Sequence, residues 1–160
     1  MTDKINSFLK AQRTNWPESY DAQLLPLRIT LLHAHLAQHG RATDIIAANE
    51  LSVVEFDVLA TLRRSPLPYS LTPSEIQHAM LITSGGLTKI LIELENRGLI
   101  SRTTYENDRR IKPATLTEKS IHILNKTMHE LNDGLRDWVN SSLTSEDVNH
   151  LTILLDKLCW

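Results

Sequence analysis

The chain has 160 residues, with 17 Lys+Arg against 19 Asp+Glu, five glycines, six prolines and one cysteine, and it is 41% hydrophobic. That length and apolar content fit one domain with a real core and exclude disordered, collagen-like and fibrous classes. The lone Cys159 excludes an intramolecular disulfide and any multi-cysteine metal site, while the net charge of −2 argues mildly against a nucleic-acid partner. The N-terminal MTDKINSFLKAQR lacks the apolar stretch of a signal peptide, and no run approaches the roughly 18 apolar residues of a membrane span. A soluble, cytoplasmic protein with no membrane partner is expected.

Residues 1–50 read as helix interrupted once. Ile5, Phe8 and Leu9 form a short apolar face, Pro17 breaks it, and Leu25, Ile29, Leu32 and Leu36 then recur at steps of four and three. Leu24, Leu27 and Leu31 widen this stripe beyond what one neighbouring helix needs, which points to burial against a second chain. Ser52 followed by Glu55 is a capping box that opens a helix with Val54, Val58, Leu59 and Leu62 inward, ending before Ser65-Pro66-Leu67-Pro68. Thr72, Pro73 and Glu75 repeat the signal with a proline at the first helical position, giving a short helix with Ile76, Ala79 and Met80 inside. Thr83-Ser84-Gly85-Gly86 leaves room for only a tight turn. Leu87, Ile90, Leu91 and Leu94 then mark a third helix, ended by Gly98.

Two short helices joined by a turn form a helix-turn-helix pattern. Beyond Gly98 the period changes: LISRTT and IKPATL each fit a short strand, with the charged tip YENDRR between them, and Pro113 places its strand at an edge. A helix-turn-helix followed by a two-stranded ribbon is the order of a winged helix. The last third returns to helix. Ile121, Leu124, Met128, Leu131, Leu135 and Trp138 fall at alternating steps of three and four, a seam for a partner helix. Thr144 and Asp147 then cap a final helix carrying Leu151, Leu154, Leu155 and Leu158. The expected fold is mainly α with a small two- to three-stranded β wing. It divides into N-terminal helices at 1–50, a winged helix-turn-helix at 51–117 and C-terminal dimerisation helices at 118–160.

The charge is unevenly placed. Residues 83–112 hold Lys89, Arg97, Arg102, Arg109, Arg110 and Lys112 against four acidic residues, whereas 113–160 hold four basic and seven acidic ones. Duplex DNA requires cations near phosphates for affinity and side chains at base edges for discrimination. The helix that starts near Thr83 presents hydroxyls and amides at its N-terminus, suited to phosphate and to the major groove. Thr83, Ser84, Thr88 and Lys89 are the candidate contacts there, with Gly85 and Gly86 permitting close backbone approach. Arg109 and Arg110 at the ribbon tip suit the negative potential of a minor groove, Lys112 adds charge behind them, and Asp108 is placed to hold an arginine.

The segments LSVVEFDVLATLRR, LTPSEI, TSGGLTKILIELENRGLISR, NDRR and LTEK resemble the MarR family of dimeric winged-helix regulators, and most of all its PecS-like, urate-responsive branch. The resemblance implies a homodimer interlocked through its terminal helices, binding a pseudo-palindrome in double-stranded DNA, with half-sites about 10 bp apart. In that branch the effector pocket uses a tryptophan, an aspartate and two arginines. Trp16, Asp57 and Arg102 match three of these, while the second arginine, expected just after Lys89, is Ile90 here. A small aromatic or anionic effector is therefore implied, with urate short of one anchoring charge.

Catalysis finds little support. His33, His35 and His39 cluster on one segment, but no zinc-protease spacing, nucleophile arrangement or cofactor motif appears. The remaining alternatives are a regulator on the same fold that senses metal through histidines or redox through Cys159, and a winged helix that binds protein.

Overall fold

The computed structural model of the chain describes residues 3–80, 84–102 and 112–159. These divide into two compact units, Met1–Arg41 and Ala42–Trp160. In the first, α1 (Asp3–Asn15) ends two residues before Pro17, which opens a single 3₁₀ turn over Pro17–Ser19. Proline cannot donate the helical hydrogen bond that continuation would require. The next helix, α2 (Leu24–Ala48), is started by Asp21, whose carboxylate accepts from the amides of Gln23 (2.8 Å) and Leu24 (2.7 Å). Those amide hydrogen bonds, Leu24's foremost, hold the Asp21 carboxyl below its ordinary pKa. The core of this unit is small: Ile5, Leu9 and Leu25, with Tyr20 and Ile29 packed on them. Phe8, expected on the same face, is half exposed, as are Leu24, Leu27, Leu32 and Leu36.

The second unit begins with the end of α2, which is followed by α3 (Val53–Arg64), β1 (Ser70–Leu71), α4 (Pro73–Met80), α5 (Ser84–Asn96), β2 (Ile100–Arg102), β3 (Ala114–Leu116), α6 (Glu118–Asn140) and α7 (Ser145–Cys159). Both capping boxes form as the sequence predicts. Glu55 accepts from the Ser52 amide and Glu75 from the Thr72 amide, while the Ser52 and Thr72 hydroxyls accept in return. One contiguous core contains Val58, Leu59 and Leu62 of α3, Ile76 of α4, Leu87, Leu91 and Leu94 of α5, Ile100, Leu116 and Leu124.

Val54 and Ala79, expected inside, are exposed, whereas Phe56, on the other side of α3 from Val54, is buried. The predicted turn at 83–86 also differs. Ser84, Gly85 and Gly86 form the first turn of α5, because burial of Leu87, Leu91 and Leu94 outweighs a glycine penalty of about 1 kcal/mol each.

The sheet has three strands in the order β1-β3-β2, all antiparallel, with Ser70 opposite Thr115 and Arg102 opposite Ala114. The strand after Pro113 is therefore central, contrary to the edge position expected of it. Pro113 stands one residue outside the ladder, so its missing N–H leaves no gap in the pairing. The two-residue β1, too short to show a period, supplies the extra partner; its Ser70 hydroxyl lies 2.8 Å from that of Thr115.

Two Schellman motifs terminate helices. At the end of α5, Gly98 has φ +67°, Leu99 N–H donates to Leu94 O at 2.8 Å, and both leucines are buried. At the end of α2 the equivalent left-handed position is Glu50, φ 59°, with Leu51 N–H donating to Ile46 O. A side chain at such a φ costs about 1–2 kcal/mol, partly offset by the extra unfolded-state entropy of glycine. Glu50→Gly is expected to stabilise the protein by about 0.5–1 kcal/mol, measured as a higher midpoint in urea unfolding with unchanged slope.

The seam read on α6 splits. Leu124 is buried and Ile121 and Leu131 pack against the winged-helix core, whereas Met128 and Leu135 are exposed. Gly134 lies where α6 passes the end of α2 closely: an added Cβ would stand 3.0 Å from Ile45 Cδ1.

Candidate nucleic-acid interface

Helix α5 is held on three sides. Its leucines pack into the core, its C-terminal turn leads into β2, and α3 and α4 lie beneath it. What remains outward is a face that includes Gly86, Thr88, Lys89, Ile92, Glu93, Glu95 and Asn96. Thr88 and Lys89 thus stand where the sequence placed them, and Ser84 and Gly85 lie in the helix's first turn. Lys112 is exposed just ahead of β3. Thr83, Asp108, Arg109 and Arg110 lie outside the described residues.

Ile92 was not singled out from sequence, yet it is 48% exposed. It sits four residues after Thr88 and out of phase with Leu87, Leu91 and Leu94. An apolar residue on the wrong arc of an otherwise regular helix is the signal that marks it.

Arg97 is another departure. Counted with the basic residues of 83–112, it faces inward instead: its Nη1 donates to Glu55 Oε1 at 2.8 Å, and its Nη2 donates to the Glu50 carbonyl. Burial pushes the Glu55 pKa up, but hydrogen bonds from the Ser52 amide and hydroxyl and the Arg97 charge together outweigh it and hold the carboxyl below its ordinary value. Lys119 Nζ in turn donates to Arg97 O at 2.9 Å, and the Thr117 hydroxyl donates to Gly98 O at 2.9 Å. These contacts fix the exit of α5 to the start of both α3 and α6. Among the described residues the exposed cations here are Lys89, which shares α5 with the exposed Glu93 and Glu95, and Lys112.

The three residues matched to an effector pocket fall in different units. Trp16, in the first, is 61% exposed and caps the 3₁₀ turn with its carbonyl, which accepts from the Ser19 amide and hydroxyl. Asp57, in the second, is exposed on α3 with no partner among the described residues. Arg102, on β2, is partly buried, and its Nε is buried with no hydrogen-bond acceptor among the described residues. Ile90 packs against the core.

His33, His35 and His39 are exposed on α2, with the rings of the latter two 5.7 Å apart. Among the described residues no group of three or more His, Cys, Asp or Glu is placed to hold a metal ion. No helix among the described residues is long and apolar enough to cross a membrane.

The family profile that matches is that of the MarR family, over residues 51–112. The HTH-type transcriptional regulator PecS of Dickeya dadantii is 37% identical over 119 residues, covering 74% of this chain and 71% of PecS. Among solved structures, the YusO protein of Bacillus subtilis superposes with a TM-score of 0.72 at 22% identity, covering 88% of this chain and 98% of that one. Sco3205 of Streptomyces coelicolor, a MarR family transcriptional regulator solved in complex with DNA, gives 0.72 at 21% identity over 88% of each chain. The chain belongs to the MarR family.

Proposed function

We propose that this protein is a sequence-specific DNA-binding transcriptional regulator, acting in the cytoplasm as a homodimer on a pseudo-palindromic operator and repressing the gene beside it. The observation that carries this is the outward face of α5, with Thr88 and Lys89 exposed on a helix clamped to α3, α4 and the sheet. Such a helix lies with its outward face along a major groove, its N-terminal residues foremost, and its rigidity fixes the register of each contact. Support also comes from PecS, named as a transcriptional regulator, and from Sco3205, solved with DNA.

In this reading residues 51–117 read DNA, the segments 1–50 and 118–160 join two copies, and no catalysis or cofactor is involved. Thr83, Ser84, Gly85, Gly86, Thr88 and Lys89 face the major groove. Arg109, Arg110 and Lys112 contact the flanking backbone or minor groove, with Asp108 positioning an arginine. The effector is a small aromatic or anionic molecule that releases the DNA, with Trp16, Asp57 and Arg102 as its candidate contacts. The buried Nε of Arg102, without an acceptor among the described residues, supports that role, since a buried N–H without an acceptor costs about 1–3 kcal/mol until one arrives.

Selection of bound duplexes from a randomised pool, followed by titration against random competitor at several salt concentrations, tests the reading. Equal affinity for selected and random duplexes would refute it. Arg109→Ala with Arg110→Ala should weaken binding to every sequence and flatten the salt dependence, by about one unit of slope for each phosphate left without its cation. A double variant that binds like wild type removes the wing from the interface.

A further inference from the structure

Helix α5 carries its apolar residues in two separate places. Leu87, Leu91 and Leu94 are buried, and Ile90 packs beside them. Ile92 stands alone on the opposite arc: at 100° per residue it lies about 200° round from Ile90, between Thr88 at about 160° and Lys89 at about 260°. Its side chain is 48% exposed and belongs to neither core cluster. It is therefore in the middle of the exposed arc, with Thr88 and Glu95 on one flank and Asn96, Lys89 and Glu93 on the other.

An isoleucine in that position cannot donate to a phosphate or to a base edge, and in free protein it leaves apolar surface in water. The major groove offers one apolar partner, the 5-methyl group of thymine. We propose that Ile92 is a specificity-determining residue that packs against a thymine methyl in each half-site. The inference rests on the DNA-binding reading of α5 and deepens it, assigning part of the discrimination to an apolar contact.

Chemistry provides a probe that changes one methyl group and nothing else. In the duplex selected from the randomised pool, each thymine is replaced in turn by deoxyuridine, which keeps the pairing edge and the O4 acceptor and removes only the methyl. Binding of full-length wild type and of Ile92→Ala is followed by fluorescence anisotropy. One thymine per half-site is expected to matter: its replacement should weaken wild type about fourfold, and about fifteenfold when both half-sites are changed, the factor for losing one buried methyl each time. Ile92→Ala should bind the thymine and deoxyuridine duplexes alike. Because Ile92 is half exposed, its removal should leave the melting temperature unchanged; if Ile92→Ala is destabilised, Ile92→Gln, which keeps a strong helix former and removes the apolar tip, serves the same comparison.

Wild-type binding that is indifferent to every deoxyuridine overturns the proposal. So does a sensitivity that persists unchanged in Ile92→Ala, which would assign the methyl to another side chain. In both cases specific binding itself is intact. Failure of the reading beneath it looks different: no selected duplex outcompetes random DNA, and the proposal falls with it.

Discussion

A protein carrying Leu154→Lys and Leu158→Lys is expected to be monomeric and to bind a two-half-site operator about 10²–10³-fold more weakly than wild type. Helix α7 has 15 residues, and none of its described side chains is buried. Leu151, Ile153, Leu154 and Leu158 are between 45% and 66% exposed, and Leu155 is 36% exposed. A helix this short is marginal in water without a surface to dock on. An apolar strip of this size on a protein of 160 residues is the mark of an interface. The acidic excess of residues 113–160 makes it unsuited to a DNA contact, so the strip is assigned to the homodimer.

Two half-sites held on one dimer bind as a linked pair, and the second contact gains from high effective concentration; a monomer forfeits that gain with every base contact intact. Light scattering should report half the wild-type mass, and circular dichroism a decrease of about one helix. A variant that remains a dimer and binds within threefold of wild type would remove α7 from the interface.

The second large effect concerns Arg97. Arg97→Ala should destabilise the protein by about 2–3 kcal/mol, between the values for exposed and fully buried ion pairs, because its partner Glu55 is 12% exposed and Arg97 itself 29%. The midpoint of thermal unfolding should fall by about 5–10 °C. The substitution leaves a carboxylate beside the core and removes the donor to the Glu50 carbonyl, at a non-glycine helix end that already adopts a left-handed conformation.

Glu55→Gln isolates the charge, since glutamine preserves the capping box. The folded-state pKa of Glu55 is lowered from the ordinary 4.5, so its stabilisation is complete above 4.5 and is lost as the pH falls through the lowered value. The gap between wild type and Glu55→Gln should accordingly be widest near neutrality and close under acid. A gap that stays constant with pH would show that packing alone, and not the ion pair, holds the two helices.

The parts of this fold that were legible in the sequence are those written in local chemistry. Ser52 with Glu55, Thr72 with Glu75 and Gly98 fix where helices start and stop, and each does so by satisfying backbone groups within a few residues. What was not legible depends on distant partners. β1 is two residues long and exists only because β3 lies beside it, which is why Pro113 was misplaced at an edge. Arg97 counts as a reading-head cation until Glu55, 42 residues away, takes it inward.

Glu50 carries no outward sign that it occupies a glycine position; the helix end is determined by Ile46 and Leu51 closing over it. The outward face of α5, proposed to read DNA, was half legible. Thr88 and Lys89 follow from charge and hydroxyl chemistry, while Ile92 was hidden because hydrophobic residues in a helix are read as core by default.

The bonds from Thr117 and Lys119 to the exit of α5 have a mechanical consequence. They weld the reading helix to one end of a 23-residue rod, α6, about 35 Å long. A rod pivoted at its far end multiplies small angles into large travel: a tilt of about 6° there sweeps the welded end through some 3–4 Å, close to the rise of one base pair. On the proposed DNA-binding reading, release of DNA would then require a rigid tilt of α6 together with the core it carries, with no loosened loop. In a dimer joined at the far end of α6, a tilt of that size would be enough to move α5 by a full step along the groove.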